Sequence, residues 1–368
     1  MSYLLDDDTR MLRDSAERFF AGLDSPKLLR RWRDTRDLTA AARGAWDGMV
    51  ELGFAGILIP EEAGGAGLGS RASIQISEMM GRTLTSAPFL SSAVMAATAI
   101  QHGNNARLQS ELLPAIAGGT VVALAGEETA RHSPHAIATL AWRDGDALHI
   151  SGRKVAVIDG NIADKLIVVA RDKGASQLML MVVDARADGI TIDARMGLDS
   201  RPLVDIAFEN VRIPEADLLC DAAVTEALLD RAYDAGRLHL AAEMLGAAQE
   251  AFDRTIDYLK TRVQFGKKIG EFQALQHRAA ILFGELEIAR SVVLKASATY
   301  SAEAISMTKA RVGEIARHVA GEAVQLHGGI GVTDDFDMGF YLKRIRAASE
   351  LLGDSVFHAE RYAQLQGL

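Results

Sequence analysis

The chain carries a single cysteine, Cys220, so no disulfide can close within it and no thiolate metal cluster can be assembled, which fits a reducing compartment. It also lacks any approach to the roughly 20 consecutive apolar residues of a membrane-spanning helix. Its opening, Met1-Ser2-Tyr3-Leu4-Leu5, runs straight into Asp6-Asp7-Asp8 without a secretory core, so a cytoplasmic protein with no membrane partner is expected. Runs of lysine and arginine are missing too. With 40 basic against 49 acidic residues the formal charge is −9, which argues against a nucleic-acid-binding surface but leaves room for a local basic pocket that holds a phosphorylated ligand. What the chain does have is apolar residues, 49% of 368, enough for two or three domains with a sizeable core.

Texture divides the chain into three. Residues 1–117 read as an N-terminal helical domain: Asp8 and Thr9 are candidate caps of an amphipathic segment Leu12 to Phe20, and a second segment spans Ala40 to Leu52. The glycine-rich stretch Gly56 to Gly69 contains a G-x-G fragment but no strand-turn-helix frame, so it reads as a close-packed connection into a helix near Ser73 to Leu84. Residues 118–219 alternate short β-rich runs, Val121 to Leu124, Ala147 to Ser151, Val155 to Ile158, Leu166 to Ala170, Leu178 to Val183, Ile190 to Ile192 and Val204 to Phe208, with turn signals such as Asp144-Gly145. They predict a middle antiparallel β domain. Residues 220–368 are helical almost throughout. The pair His132 and His135 has a metal-like spacing, but Pro134 breaks any helix there and no third ligand is evident, so no metal is expected.

The most informative stretch is Arg262-Val263-Gln264-Phe265-Gly266-Lys267-Lys268-Ile269-Gly270, followed by Glu271 to His277. Upstream, Leu238, Ala241, Leu245, Ala248, Phe252, Ile256 and Leu259 draw one apolar stripe along a long helix. Downstream, helical spacing returns from Gln273 to Tyr300, so the pair forms a helical hairpin whose bend concentrates a fixed cation, an aromatic ring, two glycines and several amides.

Those residues carry a family resemblance. Arg262 to His277 resembles the R-x-x-F-G-x-x-I-x-x-F-Q segment of the acyl-CoA dehydrogenases, and Gln325-Leu326-His327-Gly328-Gly329-Ile330-Gly331 is similar to their Q-x-x-G-G-x-G turn. Ile59 to Gly67 and Val204 to Pro214 resemble two further family segments, in the same order along the chain. The resemblance implies an α+β multidomain fold of N-terminal helical domain, middle β domain and C-terminal four-helix bundle. It implies FAD as cofactor, an acyl-CoA substrate, and electrons passed to an electron-transfer flavoprotein. It further implies that Arg262, Phe265 and Gln273 reach the flavin nucleotide of a neighbouring subunit, joined by Gln325, Gly328 and Gly329, so a homo-oligomer (dimer or homotetramer) or a hetero-oligomer with a homologous subunit is expected. The residue types suit a dinucleotide, since a guanidinium is a permanent donor fork for phosphate and glycine lets a ligand approach backbone amides.

The family's reaction needs a carboxylate that removes the proton next to the thioester carbonyl. Counting back from Arg361, as in the family's E-G-T-x-x-I-Q-R segment, places Asp354 at that base; anchoring on Gly353 instead puts Leu352 there and leaves the base missing. Glu243, set among Ala241, Ala242, Met244 and Leu245, is the second candidate, and Arg237 matches a family arginine near the substrate. The family's β-domain signature, roughly T-E-P-x-A-G-S-D, faces the flavin and the acyl-CoA; here Ala123 to His132 keeps a glutamate and loses the Gly-Ser-Asp. Two expectations follow: an active dehydrogenase, or a non-catalytic or half-site subunit that pairs with an active homologue.

Overall fold

The computed structural model describes residues 5–368. Capping chemistry starts the first helix, α1 (Asp7–Ala21), two residues earlier than the nearer of the expected caps: the Asp6 carboxylate, rather than Asp8 or Thr9, is the cap and accepts the Thr9 N–H at 2.8 Å. Six more α-helices follow before the β domain: α2 (Ser25–Thr35), α3 (Leu38–Arg43), α4 (Trp46–Glu51), α5 (Gly69–Thr83), α6 (Ala97–His102), which continues the π-helix Phe89–Ala96, and α7 (Ala106–Ala117). The segment expected as one helix over Ala40 to Leu52 is two, because Ala45 gives its N–H to the Ser86 carbonyl instead of continuing the helical ladder. Between α4 and α5 the glycine-rich stretch folds onto itself. The Ala66, Gly67 and Leu68 amides are taken by the carbonyls of Gly56, Ile59 and Ile57 at 2.9, 2.8 and 3.0 Å, which leaves those N–H groups engaged.

The chain forms two compact units. One, residues 31–69 and 86–236, contains a seven-stranded sheet. Its strands are β1 (Val122–Ala125), β2 (Leu140–Asp144), β3 (Ala147–Ile158), β4 (Lys165–Asp172), β5 (Leu178–Asp184), β6 (Ile190–Met196) and β7 (Pro202–Pro214). Along the sheet the order is β1, β4, β2, β3, β7, β6, with β5 also paired to β4. The pairing is antiparallel except where β4 meets β1 and β2, which it joins in parallel. Because the β2–β3 hairpin intervenes, the chain re-enters beside β1 in the same direction, something a run of β-rich segments does not reveal. The runs Ala147 to Ser151 and Val155 to Ile158 are one strand, bent by register shifts at Ile150/Gly152 and Lys154/Val157. Leu166 to Ala170 and Leu178 to Val183 are buried throughout, as strands covered on both faces must be.

The other unit holds the residues up to Arg30, 70–85 and 237–368. Its helices are the larger part of α8 (Thr225–Thr261), then α9 (Gln273–Thr299), α10 (Ala302–His327), α11 (Met338–Glu350) and α12 (Ser355–Leu365), with the hairpin β8 (Val263–Gln264) and β9 (Lys267–Lys268) between α8 and α9. Helix α10 is the hub, packed on α9, α11 and α12. From Leu238 to Ala248 helix α8 is buried on every side rather than along one stripe. It crosses α5 so closely that a β-carbon on Gly81 would lie 2.0 Å from the Glu243 carbonyl oxygen, and one on Gly246 would lie 1.9 Å from that of Glu78. No helix among the described residues is long and apolar enough to cross a membrane.

Candidate functional site

Two helix ends meet through aromatic stacking. Tyr258, in the last turn of α8, stacks on His327, the last residue of α10, with ring centroids 4.5 Å apart, and Phe336 lies 4.8 Å from the same imidazole. One turn beyond Tyr258 the Arg262 N–H bonds back to the Tyr258 carbonyl at 2.9 Å, and the β8–β9 hairpin begins. Arg262 is exposed, and its guanidinium meets no carboxylate among the described residues, so it is not consumed by a structural ion pair. At the hairpin tip Phe265 adopts φ +53° and leaves 91% of its surface exposed; its ring sits edge-on to Phe272 at 6.1 Å, over which Lys267 also places its ammonium. Gln273 opens α9 and is exposed. At the end of α10, Gln325 is exposed, and a β-carbon built on Gly328 or Gly329 would meet nothing within 4 Å.

This donor set fits an anionic dinucleotide. An uncommitted guanidinium offers charge-assisted bonds to a pyrophosphate, two open glycines allow backbone approach, and exposed amides can serve a ribose. No carboxylate among the described residues competes for the guanidinium.

The segment between α11 and α12 carries Leu352, Gly353 and Asp354. Gly353 has φ +104°, and a β-carbon there would come within 2.4 Å of the Phe357 ring and 2.9 Å of His358 Nε2, so only glycine fits. The Asp354 carboxylate caps α12, accepting the Phe357 N–H at 2.8 Å. The residue before the glycine is therefore Leu352, itself left-handed at φ +57° and buried. Arg361, the other possible anchor, bonds Ser306 Oγ at 2.7 Å and ties α12 to α10. Glu243 is buried and accepts from Arg344 Nη1 at 3.2 Å; Arg344 also donates to the Thr85 carbonyl. Asp354 caps a helix, and Glu243 is buried in an ion pair with Arg344.

Three cationic or imidazole groups converge on the same loop. Arg237, fully buried, donates Nε to the Leu352 carbonyl at 3.3 Å and lies over the Phe357 ring. His358 donates Nε2 to that carbonyl at 3.0 Å, which leaves Nδ1 buried without a partner among the described residues. Lys309, 1% exposed, gives its ammonium to the carbonyls of Ala348, Ser349 and Gly353 at 3.0, 3.1 and 3.0 Å. Sequence reasoning does not single out Lys309; its one signal is a lysine among the apolar positions Ile305, Val312 and Ile315. Burial and the Arg237 charge push Lys309 down to about 7, against the pull of the Glu350 and Asp354 charges.

Burial, Lys309 and Arg237 push His358 down to about 2 from 6.5. Neutral when folded, it takes up a proton on unfolding at any pH below 6.5, so its share of the stability is complete above 6.5 and drains away as pH falls toward about 2. His358→Gln is expected to flatten the loss of urea midpoint between about pH 6.5 and pH 4; an equally steep loss in the variant would contradict this.

In the sheet-containing unit, Lys154 Nζ donates to Glu128 Oε1 at 2.6 Å, and Glu127 Oε1 meets His132 Nδ1 at 2.5 Å. His135 faces Asp230 instead, and no group of metal-binding side chains occurs among the described residues.

Models of the acyl-CoA dehydrogenase N-terminal, middle and C-terminal domains match residues 6–120, 123–211 and 216–364. A probable acyl-CoA dehydrogenase of Bacillus subtilis is 30% identical over 306 residues, 78% of this chain and 80% of the relative. The chain belongs to the acyl-CoA dehydrogenase family. This acyl-CoA dehydrogenase homologue is also 29% identical over 305 residues to a subunit of the caffeyl-CoA reductase–Etf complex of Acetobacterium woodii, 79% of this chain and 80% of that one. Its fold superposes on butyryl-CoA dehydrogenase of Megasphaera elsdenii with a TM-score of 0.91 at 21% identity, covering 100% of both chains. The family is FAD-dependent, and the protein is an oxidoreductase acting on acyl-CoA.

Proposed function

We propose that this protein exchanges two electrons between FAD and the α,β-bond of an acyl-CoA thioester, with an electron-transfer flavoprotein as the redox partner. The observation that carries this is the uncommitted Arg262 guanidinium beside the open Gly328-Gly329 turn. The Acetobacterium relative, named for an Etf complex, supports the partner. Arg262 would hold the pyrophosphate, Gln325, Gly328 and Gly329 the remaining polar groups, and Phe265 and Gln273 would act on the flavin of a neighbouring copy, since the Phe265 ring is left almost wholly exposed by its own chain. Bound FAD supplies the hydride exchange at the β-carbon. The chain must then move the α-proton. Asp354 is the better placed of the two carboxylates, because capping uses only its Oδ1, whereas Glu243 lies within the helix packing against Arg344. Arg237 would act through the Leu352 carbonyl that it holds.

A second proposal rests on one observation: Leu352 occupies the place before Gly353 where the resembling segment has its glutamate. On that basis the chain would complete the cofactor site of an active homologue rather than perform proton abstraction itself.

Purified chain, reconstituted with FAD and mixed anaerobically with acyl-CoA, separates the two. Bleaching that survives Glu243→Gln but fails in Asp354→Asn supports Asp354. A colourless chain that turns yellow only when co-expressed with a homologue sinks the first proposal. In that event Leu352→Glu is expected to raise bleaching about 100-fold, the scale of a positioned acid–base group.

A further inference from the structure

Residues 126–139, between β1 and β2, form neither helix nor strand, yet are fastened at several points by two adjacent glutamates. Glu127 closes the first half: its carboxylate takes His132 Nδ1 at 2.5 Å and the Ser133 N–H at 3.5 Å, while its own carbonyl accepts the Val155 N–H at 2.8 Å. Glu128 closes the second half, accepting the N–H groups of Ala138 at 2.6 Å and Thr139 at 3.0 Å at the foot of β2. The same Glu128 carboxylate receives Lys154 from β3, whose fully buried ammonium also lies 3.4 Å from the Gly126 carbonyl. One ion pair thus gathers the start of the loop, its end and the middle of a neighbouring strand. A loop of this length is otherwise free to sample many shapes.

We propose that the Glu128–Lys154 pair is the device that sets the shape of the 126–139 loop for flavin binding, so that FAD affinity depends on it more than the fold does. This rests on the proposed function and on the resemblance of Ala123 to His132 to the family's β-domain signature, which implies that the segment faces the flavin. The pair takes the role that the lost Gly-Ser-Asp would otherwise share. Removing either partner strands a buried charge beside the loop.

A pH signature follows. Burial, opposed by Glu128 and Glu127, brings Lys154 down to about 8. The charged groups facing it are those two glutamates, with His132 on Glu127; on β7, Asp205 is engaged by Arg153 and Arg195 at 2.8 and 2.5 Å. Above about pH 8 the lysine becomes neutral and its hold on Glu128 weakens.

The test titrates the full-length, flavin-stripped protein with FAD by flavin fluorescence at pH 7 and pH 9.5, alongside amide hydrogen exchange. Wild type is expected to bind at least tenfold more weakly at the higher pH. Lys154→Met and Glu128→Gln are expected to bind at least tenfold more weakly already at pH 7, with no further pH loss. Lys154→Arg, whose guanidinium stays charged at both pH values, is expected to bind equally at both. In Lys154→Met and Glu128→Gln the Ala138 and Thr139 amides should exchange at least tenfold faster while β4 and β5 stay protected. Affinity within twofold of wild type in both variants, or a pH loss that persists in Lys154→Arg, overturns the proposal. If no form binds FAD, the flavin function fails, and unchanged protection of Ala138 and Thr139 would then overturn the loop anchor separately. Should Lys154→Met and Glu128→Gln unfold, the Lys154→Arg comparison alone decides.

Discussion

Alanine at Gly246 is expected to lower the unfolding free energy by about 3 kcal/mol or more, at the upper end of overpacking effects. The added carbon would stand 1.9 Å from the Glu78 carbonyl oxygen and 3.1 Å from the Arg82 nitrogen, both backbone atoms of α5 that cannot swing aside as a flexible side chain would. Gly81→Ala is the mirror case, meeting the Glu243 carbonyl at 2.0 Å and the Ala247 nitrogen at 3.0 Å. Each helix presents a glycine to the other's main chain, so relief requires the whole crossing to widen. Widening also pulls on Arg290, which bonds Glu78 at 2.7 Å and reaches across to Gln249. The double variant should lose less than the sum of the singles, because the first substitution already separates the helices. Urea denaturation of the two singles and the double checks this, and an unchanged midpoint in either single would refute the backbone argument.

Arg262→Ala is expected to do the reverse: leave the fold intact and remove the cofactor. The guanidinium has no carboxylate partner among the described residues, so its loss should leave the apo-protein's thermal midpoint where it was. FAD affinity should fall by about 100-fold, near 3 kcal/mol, the scale of a charge-assisted bond to phosphate that nothing replaces. Arg262→Lys should recover only part of it, since an ammonium keeps the charge but not the paired donors. Flavin content after purification and FAD titration of the apo-protein read both effects. A yellow Arg262→Ala protein with wild-type affinity would remove the proposed clamp.

Some of the molecule is legible in its residues and some is not, for physical reasons. The bend at Phe265-Gly266 and the start of α9 at Gln273 follow from a helical stripe interrupted by glycines, and the structure places both there. Three-domain order is visible because hydrophobic period changes with secondary structure. Strand neighbours are not, since period says which face is buried but not which strand lies alongside; hence the parallel β1–β4 pairing and the single bent β3 emerge only in three dimensions. Asp354 is ambiguous for a chemical reason. A carboxylate beside a glycine suits a helix cap as well as a base, and in the structure Asp354 caps α12. The pairing of Lys154 with Glu128 and the carbonyl cage of Lys309 stay hidden because a charged residue advertises nothing about its partner until the chain folds.

Lys309 carries one more consequence. Its ammonium sits where the last carbonyls of α11, from Ala348 and Ser349, expose the negative end of the helix, and among the described residues no carboxylate pairs with it there. Burial brings this amine down to about 7 from 10.5, and the same burial, with 1% of the residue exposed, keeps any acylating reagent away from it in the closed chain. Parting α10 from α11 would return the amine to the ordinary lysine range as it exposes it, so slow labelling of Lys309 would count how often that packing opens.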